Sequence, residues 1–303
     1  MADLKFAVVG VGRFGKHYVR LLQDFPDVAL VAAVSRSTGN AEQVLTDPNV
    51  DCVIIATPAS THFEYIKKAL SGGKHVLVEK PMVLSVSEAE KVGELVKTSS
   101  KVFMVAHQYL YNNHLLYLAE QIRAGVLGKL QQITLEHFYP GPIREDVGVF
   151  WDAAPHEFAI LDLLLGPVSV KTARGEKKYT LGKLVEDYVA ADVELADGIK
   201  VKLTLSSNAE KKIRKRVFVG DKGRAIFDDS YNNNFLQISA AGKNIVPQIA
   251  AVEPLRMELE HFIDCVRKNQ TPLTDIEHGI QVVRNLQSVY QHLNRAAPTQ
   301  GTG

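Results

Sequence analysis

The chain has 303 residues, 46% of them hydrophobic and 23% charged, and its 35 Lys and Arg against 34 Asp and Glu leave a formal charge of +1. That length holds two domains, each with its own core. So even a charge balance offers no global field for nucleic acid or for an anionic membrane. Two cysteines, Cys52 and Cys265, make no disulfide framework, and without a signal peptide or a long apolar run the expected location is cytoplasmic.

The first apolar run, residues 6–9, reads as a buried parallel strand and leads directly into Gly10-Val11-Gly12-Arg13-Phe14-Gly15. In this G-x-G-x-x-G spacing Gly10 permits a tight turn and Gly12 lets a pyrophosphate approach the backbone. Gly15 lets the next helix, residues 14–24, lie close to the sheet. The start of that helix offers free N–H groups to phosphates. A glycine turn in some other α/β unit is the alternative, and the strand–turn–helix context weighs against it.

A second apolar strand covers residues 28–34. NAD sites place a carboxylate about twenty positions beyond the glycines, on the ribose 2′-hydroxyl. Here that count lands on Ser35, followed by Arg36. A hydroxyl and a guanidinium suit a 2′-phosphate, which favours NADP over NAD. If Arg36 only stacks on adenine, either cofactor fits. Residues 37–49 are too few for a long crossover helix, and 41–45 allow one or two turns.

The strand 51–56 ends at Thr57-Pro58, at the carboxyl end of a parallel strand, where α/β sites form. His62 opens the helix 63–71, either beside the cofactor or as a solvated helix start. The strand 75–78 runs into Glu79-Lys80-Pro81. Pro81 restricts the backbone of Lys80, whose ammonium would bond a substrate hydroxyl or the cofactor ribose and stabilise developing alkoxide charge. Glu79 would orient it; a surface ion pair is the alternative. The helix 87–99 and the strand 102–106 complete a doubly wound sheet of about six strands, with Gln108 at its end.

The remainder reads as a helix over 115–124, a strand over 131–138 and a helix over 151–165, followed by strands at 168–174, 188–195, 199–206, 214–219, 224–228 and 235–240. Helices over 255–268 and 276–295 close the chain, the last expected to pack against the first domain, and the tail 296–303 is expected to fray. The fold class is therefore α/β: an N-terminal Rossmann domain over 1–120, and a C-terminal α+β domain over 121–303 with an open, mostly antiparallel sheet. Pocket walls are expected from the loops 138–150 and 228–234. Val189, Ala191, Val193 and Leu195 alternate with Ala190, Asp192 and Glu194, so one sheet face is apolar and the other mixed, which suits a homodimer or homotetramer through the sheet.

Trp151-Asp152-Ala153-Ala154-Pro155-His156 is the second chemical stretch. Asp152 and His156 share one face of a helix. The histidine suits proton transfer to and from an alcohol near neutral pH, with Asp152 holding the imidazole or a neighbouring hydroxyl. A capping aspartate beside a core histidine is the alternative. His156-Glu157 does not open a zinc-protease motif, because Ile160 stands where the second histidine is required, and no other metal spacing is present. Five of the six residues in Lys211-Lys212-Ile213-Arg214-Lys215-Arg216 are basic. They read as a solvated strand end, near a partner subunit, ahead of a nucleic-acid patch.

Taken together, the sequence resembles the glucose–fructose oxidoreductase / inositol dehydrogenase / rhizopine catabolism family along essentially its whole length. The resemblance is carried by the glycine motif, by Ala56-Thr57-Pro58 with His62, and by Glu79-Lys80-Pro81. It continues through Gln108-Tyr109-Leu110-Tyr111-Asn112 and Asp152-Ala153-Ala154-Pro155-His156. It implies oxidation or reduction of a sugar, inositol, polyol or sugar nucleotide with NAD or NADP, and a C-terminal sheet used for assembly. Lys80 matches the lysine that contacts substrate and nicotinamide ribose, His156 the acid/base, Asp152 its substrate-binding carboxylate partner, and Gln108 a cofactor or substrate contact. Arg144, in a stretch before Trp151 that is similar to the nucleotide-sugar branch, would meet a substrate phosphate or carboxylate. The connection 37–49 is short for the family, and Asn113 stands where proline is common. A dinucleotide-binding sensor without turnover is the alternative function, set against by the presence of both Lys80 and His156.

Overall fold

The computed structural model describes residues 3–142, 144–230, 235–250 and 252–295; the tail 296–303 and the loop residues 231–234 lie outside them. The chain divides into two compact units, one of Met1–Gln108 with Leu255–Val283 and one of Tyr109–Pro254 with Arg284–Gly303. The first unit recruits a segment from far along the chain.

In the first unit β1 (Leu4–Val9), β2 (Val28–Val34), β3 (Cys52–Ile55), β4 (His75–Glu79) and β5 (Phe103–Ala106) form one parallel sheet in the order β2-β1-β3-β4-β5. The sheet has five strands, not six. β1, β3, β4 and β5 are near-continuous apolar runs, as strands covered on both faces must be, whereas the edge strand β2 leaves Val31 exposed. The crossovers are α1 (Gly15–Leu22), the short α2 (Ala41–Thr46), α3 (His62–Ser71) and α4 (Val86–Ser99). Strand order reverses about β1, which puts a crevice beyond the carboxyl ends of β1 and β3.

In the second unit Asn112 caps α5 (Asn113–Arg123) by accepting from the His114 and Leu115 N–H groups. β6 (Leu130–Pro140) and α6 (Val149–Leu165) follow. Then come β7 (Val170–Lys178), β8 (Tyr188–Leu195), β9 (Lys200–Ser206), β10 (Asn208–Gly220), β11 (Gly223–Asp228), β12 (Phe235–Ala240) and β13 (Lys243–Ile245). Their order is β13-β12-β11-β10-β6-β9-β8-β7, antiparallel throughout except where β6 runs parallel to β9. Val189, Ala191, Val193 and Leu195 are buried, as are Val201, Leu203 and Leu205, while Asp192, Lys200 and Lys202 are exposed.

Two helices end the described chain, α7 (Pro254–Lys268) and α8 (Ile276–Arg295). α7 belongs to the first unit, where Phe262 meets Phe6 edge-on at 6.1 Å. α8 is shared by sequence: Ile276, Ile280 and Val283 join the first unit's core, and the stretch from Arg284 onward belongs to the second. Thr274 closes the open edge of β5, its carbonyl accepting from the Val105 N–H and its hydroxyl donating to the Val105 carbonyl.

A polar cluster is sealed in the first unit. The Tyr18 hydroxyl on α1 lies 2.8 Å from Glu79 Oε1 and 3.2 Å from Glu258 Oε1 on α7. A phenol has one hydrogen and satisfies one carboxylate. Burial, together with the neighbouring Glu79, pushes the Glu258 carboxyl well above its usual range, and its Oε2 has no hydrogen-bond partner among the described residues. Glu258 is therefore the neutral acid of the pair near neutral pH. Above the ordinary glutamate range the fold retains a proton that the unfolded chain releases, so this group's contribution to stability declines as pH rises. Glu258→Gln, which cannot ionise, is expected to flatten that decline. Thermal melting between about pH 5 and about pH 9 should show a smaller loss for the variant than for the parent; parallel curves would refute the assignment.

Candidate functional site

The carboxyl edge of the parallel sheet gathers what the sequence had scattered. Gly10 follows β1, Ser35 β2, Thr57 β3, Lys80 β4 and His107-Gln108 β5. Gly10 has φ +102°, and a Cβ there would lie 2.5 Å from the Ala56 carbonyl group. A Cβ on Gly15 would sit 2.2 Å from the Gly10 oxygen, so both glycines are required by close packing. Gly12 is different: it is exposed, and a Cβ would meet nothing within 4 Å. The turn therefore offers bare backbone, with Arg13 and Phe14 exposed beside it and α1 starting behind it. This open cradle at a helix N-terminus fits the pyrophosphate of a dinucleotide.

At the end of β2, Ser35 Oγ lies 2.8 Å from Thr38 Oγ1 and 3.2 Å from Ser37 Oγ in a tight turn that leaves Arg36 exposed. Ser37 and Thr38 were not singled out from the sequence; their grouping depends on the turn closing. His62 is not a solvated helix start. It is buried, with Nδ1 2.8 Å from the Pro81 carbonyl and Nε2 3.0 Å from the Thr57 carbonyl, so it ties the loop after β3 to the loop after β4. Thr57 Oγ1 accepts from the Thr61 hydroxyl at 2.8 Å, and Pro58 precedes a 3₁₀ turn at Ala59–Thr61.

Glu79 meets the backbone of Lys80. Its Oε1 accepts from Tyr18, and its Oε2 accepts from the Lys80 backbone N–H at 3.2 Å. The carboxylate thus fixes the Lys80 backbone, while the Lys80 side chain is half-buried. His107, sealed beside it, is pushed well below the usual imidazole range by burial, by His278 and by the Lys80 charge. Gln108 stands in a 3₁₀ turn at Gln108–Tyr111 rather than on a sixth strand.

In the second unit α6 carries Asp152 and His156. Its N-cap is Gly148, and Asp152 lies in the first turn, so the capping alternative for Asp152 does not hold. The cap is completed by Glu186, whose carboxylate accepts from the Phe150 N–H at 3.2 Å. A Cβ on Gly148 would collide with that carboxylate at 2.1 Å. Asp152 Oδ2 accepts from the Tyr139 hydroxyl at 2.6 Å, and Oδ1 lies 3.5 Å from Arg144. Arg144 is not held free for an anion. Its fork grips Asp146, Nε to Oδ1 at 2.9 Å and NH2 to Oδ2 at 2.7 Å. Trp151 is taken up by packing, edge-on to Phe150 and Tyr290.

His156 is buried, with the Tyr109 ring edge-on at 5.0 Å. The Tyr109 hydroxyl donates to Asp229 Oδ2 at 2.9 Å and accepts from Arg214 at 3.0 Å. Burial, then Asp229, push it up to about 12, which leaves it a poor acid/base near neutral pH. The basic run also departs from expectation. Lys211 and Lys212 are exposed, but Arg214 and Arg216 share the face of β10 that carries the buried Phe218, and Arg216 is fully buried. The signal was present as that period of two; the density of charge obscured it.

Residues 4–107 match the oxidoreductase family with an NAD-binding Rossmann fold, and residues 119–299 match the C-terminal alpha/beta domain of the same family. The chain is 29% identical over 314 residues to scyllo-inositol 2-dehydrogenase (NAD(+)) of Bacillus subtilis strain 168, covering 92% of this chain and 91% of that protein. It is 26% identical over 310 residues to UDP-N-acetylglucosamine 3-dehydrogenase of Acidithiobacillus ferrooxidans, covering 93% and 95%. Among solved structures, an inositol dehydrogenase homologue from Azotobacter vinelandii in complex with NADH and myo-inositol has the same fold, with a TM-score of 0.84 at 20% identity over 97% of this chain and 96% of that one. In both halves, therefore, the chain belongs to the glucose–fructose oxidoreductase / inositol dehydrogenase / rhizopine catabolism (Gfo/Idh/MocA) family of NAD(P)-dependent oxidoreductases.

Proposed function

We propose that this protein transfers a hydride between a nicotinamide cofactor and a secondary alcohol or ketone of a sugar, polyol or nucleotide sugar. The observation that carries the reading is the Asp152–His156 pair one turn apart on α6, with Asp152 hydrogen-bonded to Tyr139. The inositol and nucleotide-sugar dehydrogenase names of the relatives support the substrate class. Arg144 is paired to Asp146 and Asp152, so that corner carries more negative than positive charge and favours a neutral polyhydroxylated group over a phosphate.

When bound, NAD(P) supplies a nicotinamide ring that accepts or gives up the hydride. The backbone at Gly10, Gly12 and Gly15, with Arg13 and Phe14, would hold its pyrophosphate, and Thr57, Pro58 and Gln108 line the same sheet edge. His62 and Glu79 hold that edge in shape. His156 takes the hydroxyl proton in oxidation and returns it in reduction. Lys80 bonds the same oxygen and stabilises its negative charge. Asp152 fixes a neighbouring hydroxyl or the histidine tautomer. Groups of these kinds are each worth about 10²–10⁴-fold in rate. His156→Ala is therefore expected to lower turnover by roughly that factor with cofactor binding nearly intact, and Lys80→Ala to lower turnover and weaken cofactor binding as well. Reduced-nicotinamide absorbance over a panel of polyols and nucleotide sugars reads both. Near-normal turnover in the His156 variant would remove it from the acid/base role, and tight cofactor binding without turnover across the panel would favour a sensor.

The cofactor preference we infer is NADP. No carboxylate stands at the end of β2; Ser35, Ser37 and Thr38 cluster hydroxyls there beside the exposed Arg36. Arg36→Ala should weaken NADP more than NAD in a binding titration, and an equal loss would reduce Arg36 to an adenine-stacking role.

We further infer a cytoplasmic homodimer or homotetramer built on the uncovered face of the second unit's sheet, where Ala190, Asp192, Lys202 and Thr204 stand. Among the described residues no helix is long and apolar enough to cross a membrane. Light scattering behind a size-exclusion column should give a mass of two or four chains; a monomer at every concentration would refute the assembly.

A further inference from the structure

His156 does not stand alone on α6. Its imidazole lies nearly parallel to that of His137 on β6, with ring centroids 6.0 Å apart and planes inclined by 11°. His137 Nδ1 is 2.8 Å from Oε1 of Glu157, the residue after His156. Glu157 is fully buried and receives the fork of Arg216, Nε to Oε2 at 2.8 Å and NH2 to Oε1 at 2.7 Å. The remaining Arg216 arm donates to Asp229 Oδ1 at 2.7 Å.

Burial opposes ionisation of Glu157, but Arg216 and His137 outweigh it and hold the carboxyl down at about 2. An ionised carboxylate only accepts, so the proton in the contact is carried by His137 Nδ1. Burial pushes His137 down, offset only in part by Glu157, and the ring is neutral near neutral pH. His137 is thereby held in one tautomer and one orientation.

We propose that His137 is a positioning residue for His156: the Glu157–Arg216 pair fixes the His137 ring, and that near-parallel ring, with the Tyr109 ring steeply inclined to His156, sets the plane of the His156 imidazole. The proposal rests on the reading of His156 as the acid/base. Such a group must keep its plane while its charge changes, because small misalignments are costly in rate. A neutral stacked neighbour permits this, where a second imidazolium would disfavour protonation of His156. The charges facing the pair from the other elements are Arg214 and Arg216 of β10, balanced by Glu157 of α6 and Asp229 after β11.

Two substitutions separate the ring from its hydrogen bond. His137→Gln keeps a donor toward Glu157 but removes the ring, and His137→Phe keeps a flat ring but no donor. Thermal melts are to check first that each variant is folded. The Gln variant is expected to lose about tenfold or more in kcat with cofactor KM unchanged, while the Phe variant, which keeps the ring but loses its tie to Glu157, falls between the parent and the Gln variant. The His156 imidazole titration, followed by NMR, is expected to move in the Gln variant and to move less in the Phe variant. Unchanged kcat and an unchanged His156 titration in the Gln variant would overturn the proposal, as would a Phe variant that falls as far as the Gln variant. If the His156 titration moves in the Gln variant but turnover and its pH profile do not, the positioning stands and the acid/base reading of His156 fails.

Discussion

Arg216 has no exposed surface, and a guanidinium cannot shed its charge when it is buried. It must be neutralised where it stands, and breaking a buried ion pair by losing one partner costs about 3–5 kcal/mol. The pairing with Glu157 and Asp229 therefore constrains three elements at once. It fixes the register of α6 over the sheet through Glu157, and it holds the chain leaving β11 through Asp229. It also holds His137 on β6, because the same carboxylate accepts from that ring. Tyr109 is drawn in as well, its ring under the guanidinium at 4.7 Å and its hydroxyl on Asp229. His156 sits against the two aromatic groups this network immobilises.

The first unit solves a different problem. Its candidate site is an edge rather than a cluster, made where parallel strands stop and loops begin. Loops are the least restrained part of a fold, and here they are tied together by buried polar groups. His62 joins the loops after β3 and β4, and Glu79 joins the Lys80 backbone to Tyr18. Behind them Glu258 adds an acid that burial keeps protonated, so the region holds two carboxyl groups without two buried charges. The glycine turn is restrained by contact alone: Gly10 against Ala56 and Gly15 against Gly10 leave Gly12 as the open position.

The two units also differ in how their sheets face solvent. The parallel sheet is buried along β1, β3, β4 and β5. The eight-stranded sheet buries one row of side chains beneath helices such as α6 and leaves the other row mixed and exposed. That asymmetry is the usual condition of an antiparallel sheet.

Much of this was legible in the residues themselves. Apolar runs, glycine spacing and alternation are local signals, and they placed the parallel strands, the two-faced strands β8 and β9 and the helix carrying Asp152 and His156. The glycine roles follow from backbone sterics, which act within a few residues. What the sequence could not reveal depends on partners far along the chain. Lys211 to Arg216 reads as a solvated run until Glu157 and Asp229 are brought beside Arg216. Arg144 reads as a lone cation in the sequence, and the fold gives it Asp146 and Asp152 as partners. His62 reads as a solvated helix start until the Pro81 carbonyl reaches its ring. In each case local chemistry determined what the side chain was able to bond, and only the tertiary structure decided which group it met, because leaving water makes an unpaired polar group costly and its partner must come from the fold.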